Sequence, residues 1–169
     1  GTILGSRLIA QKFTRPHYFW PRPSAPDYNA SGAAGSNKSP TSPDIAGRAR
    51  SHTIPLYGAT AERPLPAELA AASGGGLDPH ITERGALYQA ERVARARGLA
   101  LDRVEILIRE HAFAPGVAFT PDRLVNVLEL NLAVDAVATP AASEGRRRET
   151  RRFATEREAN DKSAAHGGL

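Results

Sequence analysis

The stretch from Ser73 to Gly98, SGGGLDPHITERGALYQAERVARARG, constrains the fold more than any other part of this chain. Three glycines feed an Asp-Pro-His turn, the turn opens into a helix, and the helix stops on a glycine. Gly74, Gly75 and Gly76 accept backbone angles that a side chain would forbid. Asp78 precedes proline, which disfavours helical geometry in the residue before it, so an extended or turn conformation is expected there. Thr82 is placed to cap the free amides of a helix starting at Glu83. Gly98 sits where a left-handed cap would end that helix. The polar groups of Ser73, Asp78 and His80 are therefore held on a stiff loop at a helix mouth.

Helical spacing continues beyond Gly98. Residues 101–112 align Val104, Leu107, Ile108 and His111 at i, i+3, i+4 and i+7, which predicts a second amphipathic helix. Only Gly98, Leu99 and Ala100 link the two, so a tight helical hairpin or corner follows. On the first helix, residues 83–97, Leu87, Ala90 and Ala94 form the expected apolar face, with Tyr88 and Val93 flanking it. Arg92, Arg95 and Arg97 are expected to occupy most of the rest. Residues 124–134 alternate: Leu128, Leu130, Leu132 and Val134 against Glu129, Asn131 and Asp135. A strand passing into a short helix is expected, although Leu124, Val127, Leu128 and Leu132 would serve a helix as well.

The first half is punctuated differently. Residues 7–13 read as a short strand with Leu8, Ile9 and Phe13 buried. Residues 15–26 hold PHYFWPRPSAP, too rich in proline for a helix interior. A Gly/Ser/Asn/Ala/Pro-rich loop over 27–47, tacked down by Tyr28, comes next. Residues 48–66 offer one further strand through Ile54, Leu56 and Tyr57, and 66–73 reads as strand despite its alanines. Together these patterns indicate an α+β single domain: a small mixed or antiparallel sheet, two or three helices and a long irregular N-terminal half.

Several of these segments, in this order, carry a resemblance. GSRLIAQKF at 5–13, YFWPRPSA at 18–25, GSN at 35–37, SGGGLDPHIT with YQAERVARARGL, and LVNVLELNLAVDAV at 124–137 resemble the C subunit of Kdp, the bacterial potassium-pumping P-type ATPase complex. The likeness covers roughly residues 5–137, with a poor match over 46–66. It implies a soluble extracytoplasmic domain over 1–139, followed by a charged tail, helical or disordered, at 140–169. It also implies a preceding single transmembrane helix in the bacterial inner membrane, with this domain on the periplasmic face. The chain has no methionine and so is not expected to begin at a translation start. No run of about 18 apolar residues occurs.

The resemblance further implies a non-catalytic subunit that assembles with and stabilises KdpA-like potassium-translocating, KdpB-like ATPase and KdpF-like small subunits, and modulates ATP use or potassium entry. No cofactor is expected in this chain; ATP, Mg and K ions would belong to the partners. Nothing here matches the DKTGT motif that a P-type ATPase phosphorylates. Relatives carry a Ser-Gly-Gly-Ser stretch likened to a nucleotide-contacting loop, but here Ala33 and Ala34 interrupt it as SGAAGS. The residues expected to contact a partner or nucleotide are Ser36, Asn37, Asp78, His80 and Asn131, each of which has a purely structural alternative. Asp78 could equally bond local amides, Asn131 could satisfy buried backbone, and the 30–40 loop could be a plain connector.

Other classes find less footing. Asp78, His80 and His111 are metal-ligand or acid–base types, and a small hydrolase using His80 and His111 is one rival reading. Their spacing fits no ligand motif, no metal site is expected, and GxSxG, HExxH and GxxxxGK[ST] are all absent. A nucleic-acid or membrane-surface binder acting through the arginines at 146–152 is the other rival. Residues 144–169 carry seven Lys/Arg against five Asp/Glu, however, and a single aromatic, Phe153. A solvated tail and no nucleic acid are the expectation. Tyr18, Phe19 and Trp20 with Arg22 suit either a docking patch or core lining.

Overall fold

Proline and glycine divide the first half of the chain into short pieces. The computed structural model describes residues 6–39, 41–116 and 122–137. Residues 6–29 run without helix or strand, and a single 3-10 turn follows at Ala30–Gly32. Helix α1 (Pro43–Arg48) is capped by Ser42 and begins on a proline, whose fixed φ suits a first helical position. A wider π-type turn (Ala49–Thr53) carries it into α2 (Ile54–Tyr57), where Pro55 has no N–H to continue an ordinary ladder. Helix α3 (Ala67–Ala70) is a single turn.

The second half is regular. Strand β1 (His80–Thr82) runs directly into α4 (Glu83–Arg97), and Thr82 caps it by accepting from the Gly85 amide at 3.0 Å. Gly98, at φ 64°, closes α4 in the left-handed conformation that its lack of a side chain allows. Helix α5 (Leu101–His111) folds back on α4 and leads into β2 (Ala112–Phe113). Strand β3 (Leu124–Asn126) then passes without a break into α6 (Val127–Val137). The sheet order is β1-β3-β2 and both pairings are antiparallel, with Ile81 and Ala112 each opposite Val125. The result is the expected α+β domain with a small antiparallel sheet.

The described residues up to Val134 belong to one compact unit; of residues 135–169, only Asp135–Val137, the end of α6, lie among the described residues. The expected tail at 140–169 therefore falls outside them. The core of that unit draws Val104, Leu107 and Ile108 from α5, Ala86, Ala90, Val93 and Ala94 from α4, and Val127, Leu130 and Val134 from α6. Ile81 and Val125 add the sheet, and Phe19 and Trp20 come from the irregular half. Phe19 is fully buried, a contribution of about 2–3 kcal/mol.

Four local expectations are corrected. Residues 7–13 are not a strand: Leu8 is 72% exposed, Ala10 is the buried residue, and its amide makes a lone bond to Leu77 O at 2.9 Å. The 54–57 and 67–70 segments are helical turns, because the alanines of the latter and the local capping of the former prevail where no neighbouring strand edge is offered. The buried stripe of α4 is rotated to Ala86, Gln89, Ala90, Val93 and Ala94, leaving Leu87 half-buried. The strand passing into a helix expected over 124–134 is what forms: the alternation ends at Asn126, and the helix that follows buries Val127, Leu130, Asn131 and Val134, with Leu132 exposed.

Candidate functional site

The two glycine-bearing loops meet. A Cβ on Gly35 would lie 2.3 Å from Gly74 O, and one on Gly76 would lie 2.3 Å from Pro26 Cδ and 3.1 Å from Ala34 O. Gly76 also has φ +71°, so close approach and backbone angle both require glycine there. The 31–37 loop is thereby seated against the 73–76 loop. Ser36 is half-buried beside this contact, and Asn37 is exposed with φ 50°. The following Lys38 pairs with Asp44, and that bond holds the Asp44 carboxyl below its usual range.

Downstream of the glycines, the Asp78 amide donates to Ser73 Oγ at 3.4 Å. Asp78 Oδ1 accepts from the His80 amide at 3.0 Å and lies 3.0 Å from His80 Nδ1. Its other oxygen lies 4.0 Å from Arg22 Nη1. With the proton on Nδ1, the imidazole is oriented by the carboxylate, and the carboxylate by an arginine. The His80 ring stands edge-on to Phe113, their centroids 5.5 Å apart. Arg7, Leu8, Asn126 and Glu129 complete the depression around that ring pair, and Arg7 pairs with Glu129 at 3.5 Å. Asp78 and His80 are thus brought together on a half-exposed polar face.

His111 has a different neighbourhood. Its Nδ1 lies 2.8 Å from Leu107 O, one turn back, where it satisfies a carbonyl at the end of α5. Among the described residues no group of three or more His, Cys, Asp or Glu is arranged to hold a metal ion.

Asn131 lies inside the fold. Its Oδ1 accepts from the Phe19 amide at 2.8 Å and its Nδ2 donates to Phe19 O at 3.0 Å. Gln89 of α4 repeats the arrangement one residue along: Oε1 accepts from Trp20 N at 2.8 Å and Nε2 donates to Trp20 O at 3.0 Å. Two buried amides from two helices therefore serve as a substitute ladder for consecutive backbone units. Asn126 works similarly, donating to Arg7 O at 2.7 Å while its Oδ1 accepts from Leu128 and Glu129 amides to cap α6.

Two arginines of α4 tighten the same segment. Arg92 lies 3.5 Å over the Trp20 ring and donates to Pro16 O at 2.5 Å and Tyr18 O at 2.9 Å. Burial lowers its guanidinium to about 10, which leaves it charged at neutral pH, and Tyr57 opposes the shift. Arg97 donates to His17 O at 2.6 Å. The aromatic run resolves into core (Phe19, Trp20) with Arg22 holding Ala71 O and Ala72 O at 3.4 and 3.1 Å. Glu68 accepts from the Thr82 amide at 3.1 Å, placing a carboxylate at the start of α4, where the helix dipole favours it.

Sequence reasoning missed Gln89, Arg92 and Glu68. The signal for Gln89 was its place among Gly85, Ala86, Ala90 and Ala94, a small-residue stripe along which another segment can approach closely.

The comparisons with known proteins agree in one direction. A family model described as KdpC, K+-transporting ATPase, c chain, matches residues 1–136. The potassium-transporting ATPase KdpC subunit of Parvibaculum lavamentivorans is 73% identical over 139 residues, covering 82% of this chain and 74% of that protein. The KdpC subunit of Methylococcus capsulatus is 46% identical over 142 residues (81% and 75%), and that of Ralstonia nicotianae 44% over 139 residues (79% and 68%). The family match runs from the N-terminal segment through the clamps on Phe19 and Trp20 and on into α6, and the chain belongs to the KdpC family.

Proposed function

We propose that this chain is the accessory, non-catalytic subunit of an ATP-driven potassium uptake pump, assembling with KdpA-like, KdpB-like and KdpF-like subunits and stabilising them. The observation that carries the reading is the family match over residues 1–136, which takes in every element of the described fold except the last residue of α6. The site chemistry is consistent with it. Asp78 orients His80, His111 binds its own helix end, and Asn131 holds Phe19, so these groups are already engaged by the fold. ATP, Mg and K ions belong to the partner subunits in this reading.

Ser36 and Asn37 on one loop, and Asp78 and His80 on the other, form the partner-contacting polar face, and through it the subunit modulates ATP use or potassium entry. Among the described residues no helix is long and apolar enough to cross a membrane. A single N-terminal helix in the inner membrane, with this domain on the periplasmic side, is the topology we propose for the full-length parent.

The test is affinity purification of the full-length parent from mild-detergent membranes, with mass spectrometry of what accompanies it. Recovery of a P-type ATPase subunit and a channel-like potassium subunit is expected. A protein recovered alone from the soluble fraction would overturn the reading. His80→Ala and Asn37→Ala in the parent should reduce that recovery, whereas Asp102→Ala, at the exposed start of α5, should not.

A further inference from the structure

A cavity of about 420 Å3 opens between the N-terminal segment and the short helices, away from the Asp78–His80 face. Phe13, Trp20, Tyr28 and Tyr57 supply four rings to its wall. Trp20 and Tyr57 meet edge-on with centroids 5.4 Å apart, and the Tyr28 hydroxyl is occupied by donation to Arg22 O at 2.8 Å. A predominantly apolar wall with a few polar groups, at roughly 300–1,000 Å3, is the usual form of a small-molecule site.

The polar groups on the wall do not balance. Lys12 and Asp27 neutralise one another, with Nζ 2.8 Å from both carboxylate oxygens. Arg48 has no such partner. Its Nη2 donates to Ala70 O at 2.9 Å, its Nε is buried with no hydrogen-bond partner, and no carboxylate among the described residues pairs with it. His52 lines the same cavity and adds a second nitrogen base. An aromatic box with one uncompensated cation selects a flat ring bearing a single negative charge.

We infer that this cavity binds a small aromatic carboxylate, its ring against Trp20 and Tyr57 and its carboxylate on Arg48. A carboxylate supplies the missing counter-charge, and charge assistance makes its bond to the guanidinium stronger than a neutral amide could. The rings supply offset and edge contacts that an alkyl chain does not exploit.

Trp20 is the sole tryptophan, so its emission reports on the cavity directly. The experiment titrates the whole 169-residue chain with 1-naphthoate, 1-naphthamide and inorganic phosphate, following calorimetric heat and Trp20 emission together. Naphthoate should bind and shift the emission, about tenfold more tightly than the amide, and phosphate should give no heat. Arg48→Gln should bring naphthoate to the affinity of the amide. Because Arg48 also holds Ala70, Leu56→Glu provides a second variant: Leu56 is 45% exposed on the cavity lining, and the added charge should weaken naphthoate about threefold or more while sparing the amide. Equal affinity for acid and amide, phosphate binding in place of naphthoate, indifference to both substitutions, or no binding by a chain whose circular dichroism shows it folded would each overturn the assignment.

Discussion

Residues 80–137 and residues 6–79 are held by different means. The later region satisfies its backbone in helices and a three-stranded sheet, with Thr82 and Gly98 as stops. The earlier region has only single-turn pieces and one longer helical run at 43–57, and it is fastened by side chains that reach out of α4 and α6. Gln89 and Asn131 take the place of strand neighbours for Trp20 and Phe19, and Arg92 and Arg97 take carbonyls at 16, 17 and 18. An irregular segment can therefore be as firmly buried as a strand when another element carries the donors and acceptors. The cost is concentration: a few side chains hold what a ladder would distribute.

That contrast breaks most sharply at the clamps. Gln89→Leu and Asn131→Leu each leave an amide and a carbonyl buried without partners, and each should lose about 2–4 kcal/mol by urea unfolding followed through Trp20 emission. Hydrogen exchange should accelerate over 15–23 well before it does in α5. Uniform acceleration across both regions would show that the two do not differ in how they are held.

Gly76→Ala should come next, at about 1–3 kcal/mol, since its φ is +71° and the added methyl meets the Pro26 ring. Thr82→Ala removes the cap of α4 at about 1 kcal/mol. That loss falls in the regular region, so calorimetry should show it without faster exchange over 15–23. The smallest effect is one of pH. Burial first, and Asp27 second, push the Tyr28 phenol from 10.0 up to about 12. A raised folded value favours the protonated form in the fold. Its contribution is complete below pH 10 and is lost as pH climbs from 10 to about 12. Unfolding midpoints should fall across that window, and less steeply in Tyr28→Phe.

Legibility followed the same division. The bounds of α4 were readable because capping is local chemistry: Thr82 before Glu83, Gly98 after Arg97. The stripe Val104, Leu107 and Ile108 was readable because only an α-helix brings that spacing together. The sheet was harder, as its three strands hold only two or three residues each and so show no period. At the candidate site, the Asp78–His80 pairing was within reach of local reasoning, since a two-residue separation allows the Asx-type bond to the His80 amide. The meeting of the 31–37 and 73–76 loops was not, because about forty residues separate them.

By itself the sequence determined where helices start and stop in the second half, the proline-broken character of the first, and, through its ordered motifs, the resemblance to the Kdp C subunit. Those properties depend on residues within one or two turns of each other. Only the tertiary structure decided that Gln89 and Asn131 are clamps, that Arg92 is buried over Trp20, and that Arg48 lines a cavity with its Nε unpaired. An amide or a guanidinium has the same local preferences whether it meets water or backbone. What it meets is set by segments up to 119 residues away.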